Sequence, residues 1–197
     1  MLDDVARLQH EWARIKYGVA DPKQQEADML ALADEAKSVT DHYPGHAEPL
    51  IWSGIITSSA AGMKGGLGAL GMVKDARAML EQADEIDPKA LDGSAKTSLG
   101  SLYYQVPGFP VGFGSNKKAR KYLESALAIN PNGIDANFFY GDFLFQQGEY
   151  EKAQDVLRHA LAAPDRPGRE DADMGRRGEI QTLLADISKK LGKRRRS

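Results

Sequence analysis

The sequence predicts an all-α protein built as a stack of antiparallel helix pairs, and three observations carry that prediction. Pro44, Pro88, Pro131 and Pro164 recur at spacings of 44, 43 and 33 residues, and each follows a segment with helical apolar periodicity. The segment Ala76–Ala95 aligns with Ala119–Phe138 at eight identities in twenty, among them Ala76/Ala119, Leu80/Leu123, Ala83/Ala126 and Pro88/Pro131, and a third copy begins at Ala153 with Leu157 and Ala160 at the same offsets. That pattern puts two small residues and one large one on a single helix face, so a neighbouring helix can approach closely. Strand signals are weak, because Val, Ile and Thr rarely alternate with polar residues while Ala, Leu, Glu, Lys and Gln fill long stretches.

In chain order, the first helix is expected over 2–17, with Asp3 and Arg7 paired four apart on its surface. The second, over 22–41, stops before Pro44. A third, over 46–62, runs into the glycine-rich string Gly62–Gly71, read as a long turn, and a fourth, over 70–86, carries Ala76, Leu80 and Ala83 to Pro88. The fifth, over 90–105, gives way to Gln105–Asn116, where two prolines and three glycines must leave the helix. The sixth, over 116–129, repeats the small–large–small face before Pro131. The seventh, over 133–147, holds Tyr140-Gly141, a large residue and then a small one where two helices cross, and Gly148 ends it. The eighth, over 149–163, holds Ala153, Leu157 and Ala160. The ninth, over 172–191, lines up Ile180, Leu183, Leu184, Ile187 and Leu191 to cover the apolar face of an end repeat. The expected organisation is one helical-repeat domain over 1–192, with pairs at 2–41, 46–86, 90–129 and 133–163, then a basic tail over 193–197.

Composition removes several function classes. Twenty-six basic against 28 acidic residues leave a net charge of −2, so no whole-surface field draws the chain to nucleic acid or anionic lipid, and neither is an expected partner. The absence of cysteine excludes disulfides, a thiol nucleophile, iron–sulfur clusters and cysteine-ligated zinc. The acidic start Met1-Leu2-Asp3-Asp4 is not a signal peptide, and the longest apolar window, Leu50–Ala61, is cut by Ser53, Gly54, Thr57, Ser58 and Ser59, so no membrane span is expected. The sequence as it stands reads as cytoplasmic, and as periplasmic if a leader has been removed. Six cations fall among the last nine residues, read as a solvated terminus.

No catalytic constellation is visible. His42 and His46 are separated by Pro44-Gly45, which breaks the helix that would aim both at a metal, and His10-Glu11 lacks the second histidine of a zinc-protease motif. Gly66, Gly68 and Gly71 spell G-x-G-x-x-G, but a helix precedes them where a dinucleotide site requires a strand. No nucleophile elbow or P-loop occurs. The expectation is therefore no enzyme, no cofactor and no metal.

Residues 134–163 resemble a tetratricopeptide repeat, with Tyr140-Gly141, Gly148, Tyr150, Ala153, Leu157 and Ala160 in the pattern. The earlier copies keep the second helix, and Gly100 and Gly54 in the first, but their inter-helix connections, Gln105–Asn116 and Gly62–Gly71, are longer than that family's short turn. The resemblance implies a right-handed stack in which the first helix of each pair lines a concave surface. Projection from the three glycines nominates Ile51, Ile55 and Ser58, then Thr97, Ser101 and Tyr104, then Phe138, Asp142 and Phe145 as ligand or partner contacts. Trp52 and Tyr103 read as core. The loop's Phe109 and Phe113 need shelter from water, either by folding back to plug the stack or by engaging a ligand.

From about Glu48 to Ala163, GSLYYQVPGFPVGFGS followed by KARKYLESALAINPNGIDANFFYGDFLFQQGEYEKA resembles the T-component (TatT) family of proteins associated with TRAP transporters. That resemblance implies an oligomeric accessory of the bacterial envelope that contacts a periplasmic solute-binding protein and carries no catalysis. The chain departs from it in having no leader and no lipid-bearing cysteine. The expected function is a non-catalytic binding scaffold for a protein partner or apolar small ligand, as an accessory of a TRAP-type transport system. The alternative is a self-assembling module whose Phe109 and Phe113 bury against another copy.

Overall fold

The computed structural model describes residues 1–194, so Arg195, Arg196 and Ser197 of the expected tail lie outside the described residues. The described chain forms α1 (Leu2–Ala13), a π-helical turn (Arg14–Gly18), α2 (Pro22–His42), α3 (Ala47–Lys64), α4 (Gly66–Ile86), α5 (Ala90–Gln105), α6 (Asn116–Ile129), α7 (Ile134–Gln146), α8 (Tyr150–Leu161) and α9 (Glu170–Arg194). Two N-termini are fixed by side-chain caps: Asp21 accepts from the Gln24 amide at 3.0 Å ahead of Pro22, and Ser115 accepts from the Lys118 amide at 3.3 Å.

The pairing rests on three equivalent contacts. A Cβ added at Gly54 would stand 2.7 Å from Leu80 Cγ, at Gly100 2.6 Å from Leu123 Cγ, and at Gly141 2.6 Å from Leu157 Cγ. Each leucine is the large member of the small–large–small face, and each is fully buried. Thus α3 closes on α4, α5 on α6 and α7 on α8, with the flanking alanines Ala76, Ala83, Ala119, Ala126, Ala153 and Ala160 also at 0% exposure.

Several expectations are corrected. The string Gly62–Gly71 is not a long turn: α3 and α4 run through it and reverse at Gly65, whose φ of 64° suits a residue without Cβ. The first helix is α-helical only to Ala13 and then widens into the π turn, which places Lys16 and Tyr17 facing the end of the chain. Within α5, Leu91, Asp92 and Gly93 take φ of 47°, 56° and 76°, a left-handed step between Pro88 and the regular helix.

The ninth helix does more than cap the last pair. It packs on α8 and α7 and also reaches α1 and the π turn. His10 Nε2 lies 2.7 Å from the Gly168 carbonyl, and Gly175 is seated on Tyr17, where an added Cβ would fall 2.5 Å from the ring. The chain's last helix is therefore tied to its first.

Candidate functional site

The nominated residues on α3, α5 and α7 fall into three groups. Ile51, Thr97, Ser101 and Tyr104 are packed away, at 0%, 6%, 9% and 9% exposure. Ile51 sits in the apolar cluster of α1–α3, so its nomination as a contact is corrected: it presents no surface. Trp52 and Tyr103 are core, Trp52 edge-on to Trp12 at 5.8 Å and Tyr103 stacked on Tyr122 at 5.6 Å.

The second group lies where α9 crosses. The Arg176 guanidinium stands 4.3 Å from the Phe138 ring and 4.8 Å from Phe139, and Arg169 stands 5.1 Å from Trp52. A charge network holds α9 there. Asp135, in the first turn of α7, accepts from Arg176 Nε and from an Arg166 terminal nitrogen, both at 2.8 Å, while Asp173 receives the Arg166 backbone amide at 2.9 Å. Glu179 takes the Lys16 ammonium at 3.0 Å and the Tyr17 hydroxyl at 3.2 Å. Burial alone would raise the Asp135 pKa, but the Arg176 and Arg166 charges reverse this and hold its carboxyl well below the usual range. Burial, reinforced by Arg176, brings the Lys16 ammonium down to about 8.

The third group remains open toward the C-terminal halves of the first helices. Ile55, Ser58, Asp142 and Phe145 are half-buried. Asp142 accepts the Tyr104 hydroxyl at 2.7 Å and Gln146 Nε2 at 3.3 Å, and Gln105 Nε2 donates to the same hydroxyl at 3.2 Å. Burial and the neighbouring carboxylate push the Tyr104 hydroxyl well above its usual pKa, so it stays a donor to Asp142. Phe145 packs at 5.5 Å from Tyr150. The Ser58 hydroxyl is spent on the Ile55 carbonyl at 2.8 Å, so no base activates it. Among the described residues no group of three or more His, Asp or Glu is placed to hold a metal.

The loop between α5 and α6 treats its two phenylalanines differently. Phe113 plugs, edge-on to Tyr103 at 5.5 Å beneath the Arg77 guanidinium at 4.4 Å, and Val106 is buried beside it. Phe109 points away, at 94% exposure. Sequence reasoning missed the cleft of about 250 Å³ between α1 and the start of α9, lined by His10, Arg14, Arg169 and Glu170. Its walls are about 160 residues apart in sequence and follow no local period.

Residues 111–168 match the tetratricopeptide repeat family. Among solved structures, the chain is similar to a thermophilic TPR protein of Thermus thermophilus, at 22% identity and a TM-score of 0.63, over 84% of this chain and 76% of that one. It is also similar to MamA, at 19% identity and a TM-score of 0.49, over 91% of this chain and 98% of that one. No curated protein matches the chain by sequence. The repeat match and the Thermus structure show the fold to be an all-α stack of tetratricopeptide type.

Proposed function

We propose that the chain is a non-catalytic scaffold that binds a segment of a protein partner on the part of its concave face that α9 leaves open. One observation carries the reading: Tyr104, buried and donating to Asp142 at 2.7 Å, fixes a carboxylate beside the half-exposed Phe145. A held charge next to an aromatic surface gives a partner both orientation and apolar area, the combination that concentrates binding energy in few residues. No nucleophile on this face is paired with a base, which favours recognition over chemistry. The finer assignment, an accessory of a TRAP-type solute transport system beside a periplasmic solute-binding protein, is supported by the loop string GSLYYQVPGFPVGFGS alone.

Photo-crosslinking in cells tests the surface. Phe145→p-benzoylphenylalanine should yield a discrete adduct with another protein, while the same substitution at Lys37, exposed on α2, should not. Adducts from position 37 and none from 145 would overturn the reading.

A further inference from the structure

A different surface stands out at the end of the stack where first helices hand over to second ones. Six large apolar side chains are markedly exposed among the described residues, and three of them lie here: Leu67 at 85%, Phe109 at 94% and Val111 at 57%. They are not on loose chain. Helix α4 begins fourteen residues before its crossing leucine, Leu80, whereas α6 begins only seven before Leu123, so the α3–α4 hairpin projects roughly 10 Å further at 1.5 Å per residue. The α5–α6 loop fills the flank of that projection, with Phe113 under Arg77 and Val73 packed on the cluster that contains Val106. Its backbone is tied at 2.9 Å from the Gly114 amide to the Pro107 carbonyl and at 2.7 Å from the Ser115 amide to the Tyr103 carbonyl. Phe109 is thus held outward on a pinned loop beside a projecting helical tip.

The charge around these residues is one-sided. Pro49–Lys74 and Gly93–Leu123 contain no Asp or Glu, in a chain with 28 acids. Lys64, Lys117 and Lys121 are exposed at this end, and none forms an ion pair with a described residue. The acids that border it are already paired: Glu124, which lines a groove with Lys117 and Lys121, lies 3.8 Å from Arg120, and Glu149 in the adjoining α7–α8 turn is taken by Arg120 and Lys152.

The geometry points to this edge as a docking surface for the anionic headgroup layer of a bilayer, with Phe109 and Leu67 entering the interface. Outward apolar side chains ringed by unpaired lysines suit a surface that is negative outside and apolar beneath. A second copy of the chain fits less well, since an edge-to-edge contact would set Lys64, Lys117 and Lys121 against themselves. The other exposed apolar residues, Leu2, Ile86 and Met174, lie on three separate helices and do not form a receiving patch of their own.

Flotation of the full chain with phosphatidylcholine vesicles, with and without one third phosphatidylglycerol, tests this. At roughly 0.15 M salt, the chain should float with the anionic vesicles and not with the neutral ones. Leu67→Ser/Phe109→Ser should lower the bound fraction at least tenfold, with an unchanged helical signal, and Lys117→Glu/Lys121→Glu should do the same. No flotation on anionic vesicles overturns the inference, as does flotation that survives both variants, which would assign binding to the basic carboxyl end. Sedimentation equilibrium is the remaining arm: lipid-free self-association abolished by Leu67→Ser/Phe109→Ser would make the edge a contact between copies and also overturn it.

Discussion

The glycine-on-leucine contact at each helix crossing can be weighed with a double-mutant cycle at Gly141 and Leu157. An alanine Cβ at 141 would fall 2.6 Å from Leu157 Cγ and 2.7 Å from Cδ2, about 1 Å inside the ~3.5–4.0 Å separation of carbon atoms in contact. Leu157 is fully buried and has no room to withdraw, so overpacking costs about 1–3 kcal/mol. The gain in helix propensity returns about 1 kcal/mol, leaving Gly141→Ala neutral to about 2 kcal/mol destabilising. Leu157→Ala alone leaves a cavity and costs about 2–5 kcal/mol. In the double variant the alanine methyl enters space the leucine has vacated, the overlap disappears, and the loss falls short of the sum by about 1–3 kcal/mol. Gly71→Ala is the control: an added Cβ there meets nothing within 4 Å, so it should stabilise by up to ~1 kcal/mol. Urea unfolding followed by far-ultraviolet circular dichroism reads all four. A coupling energy within about 0.3 kcal/mol of zero, or Gly141→Ala stabilising as Gly71→Ala does, would refute the close crossing.

Two further predictions address strain and charge. Asp92→Gly should be close to neutral, because relief of a left-handed residue, worth about 1–2 kcal/mol, offsets the entropy glycine adds to the unfolded chain; Ala78→Gly, exposed in the ordinary helical run of α4, should cost about 1 kcal/mol, and equal urea midpoints for the pair would contradict the left-handed assignment. Lys16 titrates at about 8 in the fold and 10.5 when unfolded, so between those values the unfolded chain holds the extra proton and stability rises with pH. Above pH 10 the trend reverses, because buried tyrosines such as Tyr104, raised above 10.0 by burial, stay protonated only in the fold. The wild-type rise above pH 8 in the urea midpoint should be absent from Lys16→Met, and a rise that persists there would show that Lys16 is not its source.

What the sequence announced and what it concealed follow from the range of the interactions. The small–large–small faces repeat locally, so α6 at Asn116–Ile129 falls on its expected limits, whereas α5 ends at Gln105 as expected but becomes regular only after the left-handed step at Leu91–Gly93. The run Gly62–Gly71 misled because glycine disfavours helix by about 1 kcal/mol each, and only the packing of α3 along α4 outweighs that preference. Projection from the three glycines placed Ile51 and Tyr104 on the right helices, but not at the right depth: burial depends on α1, α7 and α9 crossing overhead. The route of α9 had no local signature, since Asp135, Arg166, Arg176, Glu179 and Lys16 form their network across as many as 163 positions. For the same reason Tyr104→Ala would excavate the core, whereas Tyr104→Phe removes only the hydroxyl that holds Asp142.

The most direct test of the scaffold reading is titration calorimetry of the full chain with the protein recovered in the Phe145 crosslink, comparing wild type with Asp142→Ala and Phe145→Ala. Each variant should weaken binding at least tenfold, about 1.4 kcal/mol, with an unchanged helical signal, while Leu67→Ser/Phe109→Ser should leave the affinity within about twofold. Affinities unmoved by the two concave-face variants and abolished by Leu67→Ser/Phe109→Ser would contradict the account.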